Sequence, residues 1–270
     1  MAIDSPKSVE LGEWKLLPER VALHLPTGTL IAADLHVGYG RERTLRGDAV
    51  PIPSLEDELG SLLAAWSREK PKRLVIAGDL VEKARPDLLS ALAEWFSRSG
   101  IRLEGLVRGN HDGGKSRWPL PLLPEGFLVG RHAIWHQYPG TPNPVVHGHE
   151  HPAVALPGLG LVPCFLLDER RLILAAYSQD ATGGNILRRK DIDELREMRC
   201  LAVAGTRVEN LGTVLELEAH LGASRRTRNK RWSNGIGLEG PRNLPGRASN
   251  TDADLSGRGA ANSHQKRRRQ

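Results

Sequence analysis

Three times in the first 112 residues a short apolar run ends on a polar donor. Leu30-Ile31-Ala32-Ala33 runs into Asp34-Leu35-His36. Leu74-Val75-Ile76-Ala77 runs into Gly78-Asp79, and the Leu103–Val107 run is soon followed by Gly109-Asn110-His111-Asp112. Apolar runs of this length, bounded by turn residues, read as strands buried on both faces of a parallel sheet. Amphipathic helices separate them. Ser54, with acidic Glu56 and Asp57 behind it, caps a helix whose Leu55, Leu59, Leu62, Leu63 and Trp66 share one face, and Lys70-Pro71-Lys72 ends it. Pro86 opens a second helix with Leu88, Leu89, Leu92, Trp95 and Phe96 inward, and Gly100 stands at its C-cap. Open α/β sheets bind ligands at the carboxyl ends of their strands, where these polar groups sit.

Flanking segments complete the expected domain. Residues 21–33 read as a hairpin around Pro26-Thr27-Gly28, and the Gly- and Arg-containing stretch 38–43 as a loop. Arg41, Arg43 and Arg46 either face a substrate phosphate there or are simply solvated. Beyond residue 115 prolines and short apolar runs predict a mostly antiparallel half. It includes a hairpin of Cys164–Leu167 and Arg171–Leu174, a turn at Thr182–Asn185, a helix over 189–199, and closing strands at 200–208 and 213–217. No domain break is expected before Leu221, so residues 1–221 form one domain.

Residues 222–270 are different material. They hold 12 Lys/Arg against 3 Asp/Glu, whereas subtraction from the totals of 38 and 32 leaves 26 and 29 in the rest. The basicity belongs to the tail, whose composition is too polar to bury a core; it reads as disordered and suited to attracting phosphate. Two cysteines form no CxxC pattern, no signal peptide opens the chain, and no apolar run approaches a membrane span. A cytoplasmic protein with no membrane partner is expected. Oligomeric state is not readable.

A further cluster, Val145-Val146-His147-Gly148-His149-Glu150-His151, puts His149 and His151 on the same side of an extended segment. Asp34, His36, Asp79, Asn110, His149 and His151 therefore form a candidate donor set. His136, which ends the run Ala133-Ile134-Trp135, is a seventh; His132, at its start, is the alternative. Carboxylate, carboxamide and imidazole together suit Mn²⁺, Fe or Zn²⁺. So many donors exceed the needs of one ion, and two ions ~3.5–4 Å apart sharing a carboxylate would use them. Asp112 is either the partner of His111 or a turn cap. His147 is a core or outer-sphere residue, and His24 and His132 lack supporting context.

In their order Asp34-x-His36, Gly78-Asp79, Gly109-Asn110-His111-Asp112, His136 and Gly148-His149-x-His151 resemble the motifs of the calcineurin-like metallophosphoesterase superfamily. The phrases Ala33–Gly38, His149–Val154, Pro163-Cys164-Phe165 and Leu174–Tyr177 resemble its DNA-ligase-associated branch, over roughly residues 20–215. Tyr177–Asp180 is more polar than that branch's pattern. The resemblance implies an α/β fold, a four-layer α-β-β-α sandwich with the site between its sheets. It implies one ion on Asp34, His36, Asp79 and His151, and a second on Asp79, Asn110, His136 and His149. His111 would protonate the leaving oxygen, with Asp112 orienting its ring. The implied activity is Mn²⁺-dependent hydrolysis of a phosphodiester, with DNA cleavage in some members; a small nucleotide-like phosphoester or a non-catalytic metal-bound scaffold are the other readings.

Overall fold

The computed structural model describes residues 6–113, 117–181 and 183–221. The expected disorder of 222–270 and Thr182 of the expected turn lie outside them. Four antiparallel strands, β1 (Val9–Leu11), β2 (Trp14–Leu16), β3 (Ala22–His24) and β4 (Thr29–Ala32), lead into the parallel strands β5 (Arg73–Ala77), β6 (Leu103–Val107) and β7 (Leu122–Leu123). Together they make a seven-stranded sheet in sequence order. On its outer face lie α2 (Leu55–Glu69) and α3 (Pro86–Ser99), and α1 (Tyr39–Leu45) sits beside the start of α3, paired to it through Arg41–Asp87 and Glu42–Arg85. The Ser54 capping box forms as the sequence predicts, an arrangement worth ~1 kcal/mol. Leu59, Leu62 and Ala65 of α2 and Leu89, Leu92, Trp95 and Phe96 of α3 are buried in one cluster with Leu30, Leu74, Ile76 and Leu106.

The second sheet comprises β8 (Phe127–Val129), β9 (His132–Trp135), β10 (Val145–His147), β11 (Pro152–Leu156), β12 (Gly160–Leu167), β13 (Arg171–Ile173), β14 (Gly184–Asn185), β15 (Arg199–Ala204) and β16 (Arg207–Thr213). The hairpin of β12 and β13 and the antiparallel majority of pairings are as expected, but β9, β10 and β13 run parallel at the centre. That difference matters, because parallel strands bring their carboxyl ends to one edge. Ile31, Val75, Ala77 and Val107 face Ile134, Val146, Phe165 and Leu172 in the core between the sheets. A third cluster covers the outer face of the second sheet with Ile186, Leu195, Met198, Val214 and Leu217. The fold is thus mixed α/β with two facing sheets, and a helix over 214–221 (α4) lies in the last layer.

Three local readings are corrected. The stretch 38–43 is not a loop: α1 occupies it, held by the Glu42–Arg85 ion pair and by Gly40, whose missing Cβ admits the Pro51 carbonyl. Residues 189–199 form no α-helix but one short 3-10 turn, Ile192–Glu194, which follows another at Ile186–Arg188; Arg189 between them pairs with Asp191 and Glu150. The last reversal falls at Gly205, inside the expected strand 200–208, and 214–217 is helical where a strand was expected. Among the described residues no helix is long and apolar enough to cross a membrane. Cys164 and Cys200 are free and buried.

Candidate metal centre

Five strand ends meet at one edge of the two sheets. β4 delivers Asp34 and His36, β5 delivers Asp79, β6 leads to Asn110 and His111, β9 to His136, and β10 to His149 and His151. The backbone crosses over there: Asp34 N–H donates to Gly78 O (3.1 Å), His36 N–H to Asp79 O (3.0 Å) and Ser178 N–H to Asp34 O (3.1 Å). The two sheets are laced together by His149 N–H, which donates to both Asp34 oxygens at 3.0 and 2.9 Å.

Three glycines make the close approach possible. A Cβ on Gly78 would lie 2.1 Å from His136 Nδ1, one on Gly109 2.2 Å from Asp79 Oδ1, and one on Gly148 2.6 Å from Asp34 Oδ2. The donors themselves carry strain. Asp34 (φ 55°), His36 (49°), Asp79 (48°), His149 (69°) and His151 (42°) are left-handed, and only Arg20 and Lys70 share that property among the described non-glycine residues. Such strain persists where surrounding structure over-determines it, characteristically at functional sites.

All seven expected donors come together. On one side His136 Nε2 lies 2.9 Å from Asn110 Oδ1, 3.1 Å from His149 Nδ1 and 3.4 Å from Asp79 Oδ2. His136 Nδ1 faces Ala77 O at 3.3 Å, so that nitrogen carries the proton and Nε2 offers a lone pair. On the other side His151 Nε2 is 3.5 Å from Asp34 Oδ1, and His36 Nε2 is 3.9 Å from Asp79 Oδ2. Ligating atoms of Asp34, His36 and His151 fall within 4.8 Å of one another, as do those of Asp79, His136 and His149. Donors held ~2.1 Å from a common ion would stand ~3.0–3.4 Å apart, which matches the closer set and lies just below the wider one. His132 is not part of this centre, so the choice between it and His136 falls to His136.

Protonation favours metal binding. Burial lowers the pKa of His36 and of His149, in both cases against the pull of nearby Asp carboxylates, so these rings are neutral at pH 7. His36 Nδ1 pairs with Glu82 Oε2 at 3.0 Å, which leaves Nε2 as a buried atom with no hydrogen-bond partner. That orphaned lone pair, aimed toward Asp79, is the clearest sign that a cation fits. His151 differs: burial works against its charge, but the Asp34 carboxylate prevails and raises its pKa.

His111 sits at the rim. Its backbone N–H donates to Asp79 Oδ1 (2.8 Å), its side chain is 36% exposed, and Nδ1 faces Glu82 O at 3.1 Å and Glu82 Oε2 at 3.4 Å. Asp112 does not orient that ring. It is buried, Oδ1 accepts from Val81 N–H (3.2 Å) and Oδ2 from Gly109 N–H (2.9 Å), and burial pushes its pKa up to about 6. Asp112 is a turn cap, and Glu82 occupies the place expected of it. Sequence reasoning missed Glu82; its one signal was a carboxylate three positions after Asp79. His147 is buried, stacked on Tyr138, with its pKa lowered to about 4 by desolvation. Arg41 pairs with Asp87, and Arg43 with Asp48.

No protein-family model matches the chain, and no curated protein does. Among solved structures, the nuclease MPE of Pseudomonas putida is similar, with a TM-score of 0.61 and 24% identity over 76% of this chain and 99% of that one. YfcE, a phosphoesterase from E. coli, gives a TM-score of 0.29 and 16% identity over 54% of this chain and 77% of that one, too slight a likeness to argue from. The chain has the fold of that nuclease, built here as two facing sheets with helices on their outer faces.

Proposed function

We propose that the chain is a two-metal phosphoesterase that hydrolyses phosphodiester bonds, of the DNA-ligase-associated kind, with nucleic acid as its substrate and Mn²⁺ as its preferred ion. The observation that carries this reading is the convergence of His136 Nε2, His149 Nδ1, Asn110 Oδ1 and Asp79 Oδ2 at 2.9–3.4 Å beside a second donor group. Lone pairs crowded so closely repel unless positive charge lies between them. Asp34, His36, Asp79 and His151 would hold one divalent ion and Asp79, Asn110, His136 and His149 the other, with Asp79 shared. Bound ions would supply an activated water and offset the charge that develops on the phosphoryl group.

The chain's own groups do the rest. Glu82 and Ala77 O hold the Nδ1 protons of His36 and His136, which aims the Nε2 lone pairs inward. Asp34, gripped by His149 N–H, keeps the two sheets in register across the site. His111, with Nδ1–H directed at Glu82 O, presents Nε2 outward, where a proton held on it can pass to the leaving oxygen. Tail residues 222–270 would add sequence-independent attraction to a phosphate backbone. The free buried thiols of Cys164 and Cys200 fit a reducing, cytoplasmic setting.

The test is Mn²⁺-dependent hydrolysis of bis-p-nitrophenyl phosphate, run beside the monoester and a supercoiled plasmid, with Asp79→Asn as control. Diester turnover plus plasmid nicking, both abolished in the control, is the expected result. Diester turnover without nicking would move the substrate to a small phosphoester. No turnover with any divalent metal would leave a non-catalytic scaffold.

A further inference from the structure

A second group of metal-ligating side chains lies away from this centre. β9 begins at His132 and ends next to His136, so its two ends serve different places. At the starting end His132 meets His24, the last residue of β3, and Glu13, in the turn between β1 and β2. One ring nitrogen from each histidine and a carboxylate oxygen of Glu13 lie within 4.8 Å of one another. The group spans both sheets, and no motif in the sequence announces it.

The tautomer of His24 is set by its neighbours. Its Nδ1 lies 2.8 Å from Thr27 Oγ1; that hydroxyl donates to Thr29 Oγ1 (2.8 Å), which also accepts from Arg73 Nε (3.0 Å). With its proton committed to Thr29, the Thr27 oxygen can only accept from His24, so His24 carries its proton on Nδ1. Nε2 is then a bare lone pair, and it is buried without a hydrogen-bond partner on a residue 1% exposed. His132, 4% exposed, likewise has a buried Nδ1 without a partner, while its Nε2 is 3.9 Å from Glu13 Oε2. A buried ring nitrogen left unsatisfied costs ~1–3 kcal/mol whether it donates or accepts, so two in adjoining rings call for an explanation. Desolvation lowers the pKa of both rings, His132 to about 4, which leaves them neutral at pH 7.

We propose that Glu13, His24 and His132 form a separate site for one transition-metal ion of the Zn²⁺ class. Two imidazoles and one carboxylate are a ligand set that Zn²⁺ takes, with further positions left for water or an added ligand. The rings are preset: Trp14 packs against both, with centroids 4.8 Å from His24 and 5.0 Å from His132. Gly130 closes on His24, since a Cβ there would lie 2.6 Å from Cε1. Glu13 is the adjustable ligand. Its carboxylate is partly exposed and now pairs with Arg131 at 3.1 Å, a contact the ion would compete with. The site opens on a cleft of about 1030 Å³ lined by Glu13, Trp14, Arg131, His132, Arg170 and Arg199, wide enough for an external ligand.

The experiment titrates Zn²⁺ into metal-stripped full-length protein and counts the equivalents retained after dialysis. His132→Gln and His24→Asn are each expected to hold one equivalent fewer than the unaltered chain, whereas Asp79→Asn keeps that equivalent and loses others. This separates the second site from the two-metal reading. Glu13→Gln, in a turn, is expected to weaken that equivalent by at least ~10-fold. Arg131→Ala, on the surface, removes the competitor and tightens it by up to ~5-fold. Folded His132→Gln that retains the full count overturns the proposal. So does an affinity unmoved by both Glu13→Gln and Arg131→Ala, which decides the matter even if the histidine variants do not fold.

Discussion

Glu82 is the residue through which metal affinity and turnover can be separated. Its carboxylate is nearly buried and touches two imidazoles at once, His36 Nδ1 at 3.0 Å and His111 Nδ1 at 3.4 Å. A hydrogen bond to a charged group contributes ~1.5–3 kcal/mol, and outer-sphere partners of metal ligands typically govern 10–100-fold in affinity or activity. Glu82→Ala frees the His36 ring to rotate and to move its proton onto Nε2, the atom that faces Asp79. Mn²⁺ affinity, measured by calorimetry, should fall ~10–100-fold. Glu82→Gln keeps an acceptor oxygen without the charge and should recover part of that loss. Diester hydrolysis at saturating Mn²⁺ then reads the second contact: a deficit that persists when the ions are in place reports on His111. Glu82→Ala with unaltered Mn²⁺ affinity and unaltered turnover would refute the reasoning, because the orientation of His36 would then owe nothing to Glu82.

Other perturbations test other parts of the site. His111→Ala should leave the number of bound ions unchanged while turnover falls ~10²–10⁴-fold; a collapse in metal stoichiometry would make His111 a ligand instead. Gly78→Ala drives a methyl to 2.1 Å from His136 Nδ1 at a left-handed φ of 91°, and should lower stability by ~2–5 kcal/mol in denaturant titrations. A loss below ~1 kcal/mol would show that the His136 ring can yield. Glu58 has its pKa raised to about 7, mainly by burial, against the opposing Gly38 N–H. Between the unfolded value of 4.5 and that figure the folded state holds a proton that the unfolded chain has lost, so stability should decline as pH rises through this window. Allowing for partial exposure, the decline is ~1–2 kcal/mol. Glu58→Gln should remove it, matching the unaltered protein near pH 4 and exceeding it at pH 8; identical slopes would refute the assignment.

What could be read from residues alone follows the range of the interactions involved. α2 and α3 are encoded locally, by the Ser54 capping box, Pro86, Gly100 and apolar faces at helical spacing. α1 is not: Gly38 and Gly40 argue against a helix, and what holds it, Arg85 on Glu42 and the Pro51 carbonyl over Gly40, lies 43 and 11 residues downstream, respectively. The segment 189–199 fails in the opposite sense. Ile192, Leu195 and Met198 have helical spacing, yet Arg189 is tied to Asp191 and Glu150 and only short turns form. The candidate donors are legible because each follows a strand. Glu82 follows one too, but after an intervening ligand, and its use depends on His111 arriving from β6. Glu13, His24 and His132 become one group only through register. β2 sets Trp14 opposite His24, and β9 brings His132 from the other sheet.

The distribution of glycine and of strain at the candidate metal centre has a common cause. Donors that shared an ion would stand ~3.0–3.4 Å apart, and the strand ends that gather them here reverse sharply while their backbones cross to neighbouring strands. Glycine would adopt such turns freely but offers no ligand. At Asp34, His36, Asp79, His149 and His151 the chain keeps a donor side chain and accepts a left-handed φ, at ~1–2 kcal/mol each. Glycine is reserved for the adjoining positions, Gly78, Gly109 and Gly148, where a Cβ would strike a neighbouring donor. The pairs Gly78-Asp79, Gly109-Asn110 and Gly148-His149 are therefore a division of labour: one residue makes room, and the next supplies the chemistry. Backbone hydrogen bonds such as His149 N–H to Asp34 and His111 N–H to Asp79 hold the strained conformations in place. They also tie each donor to another strand, so the centre and the docking of the two sheets depend on the same contacts.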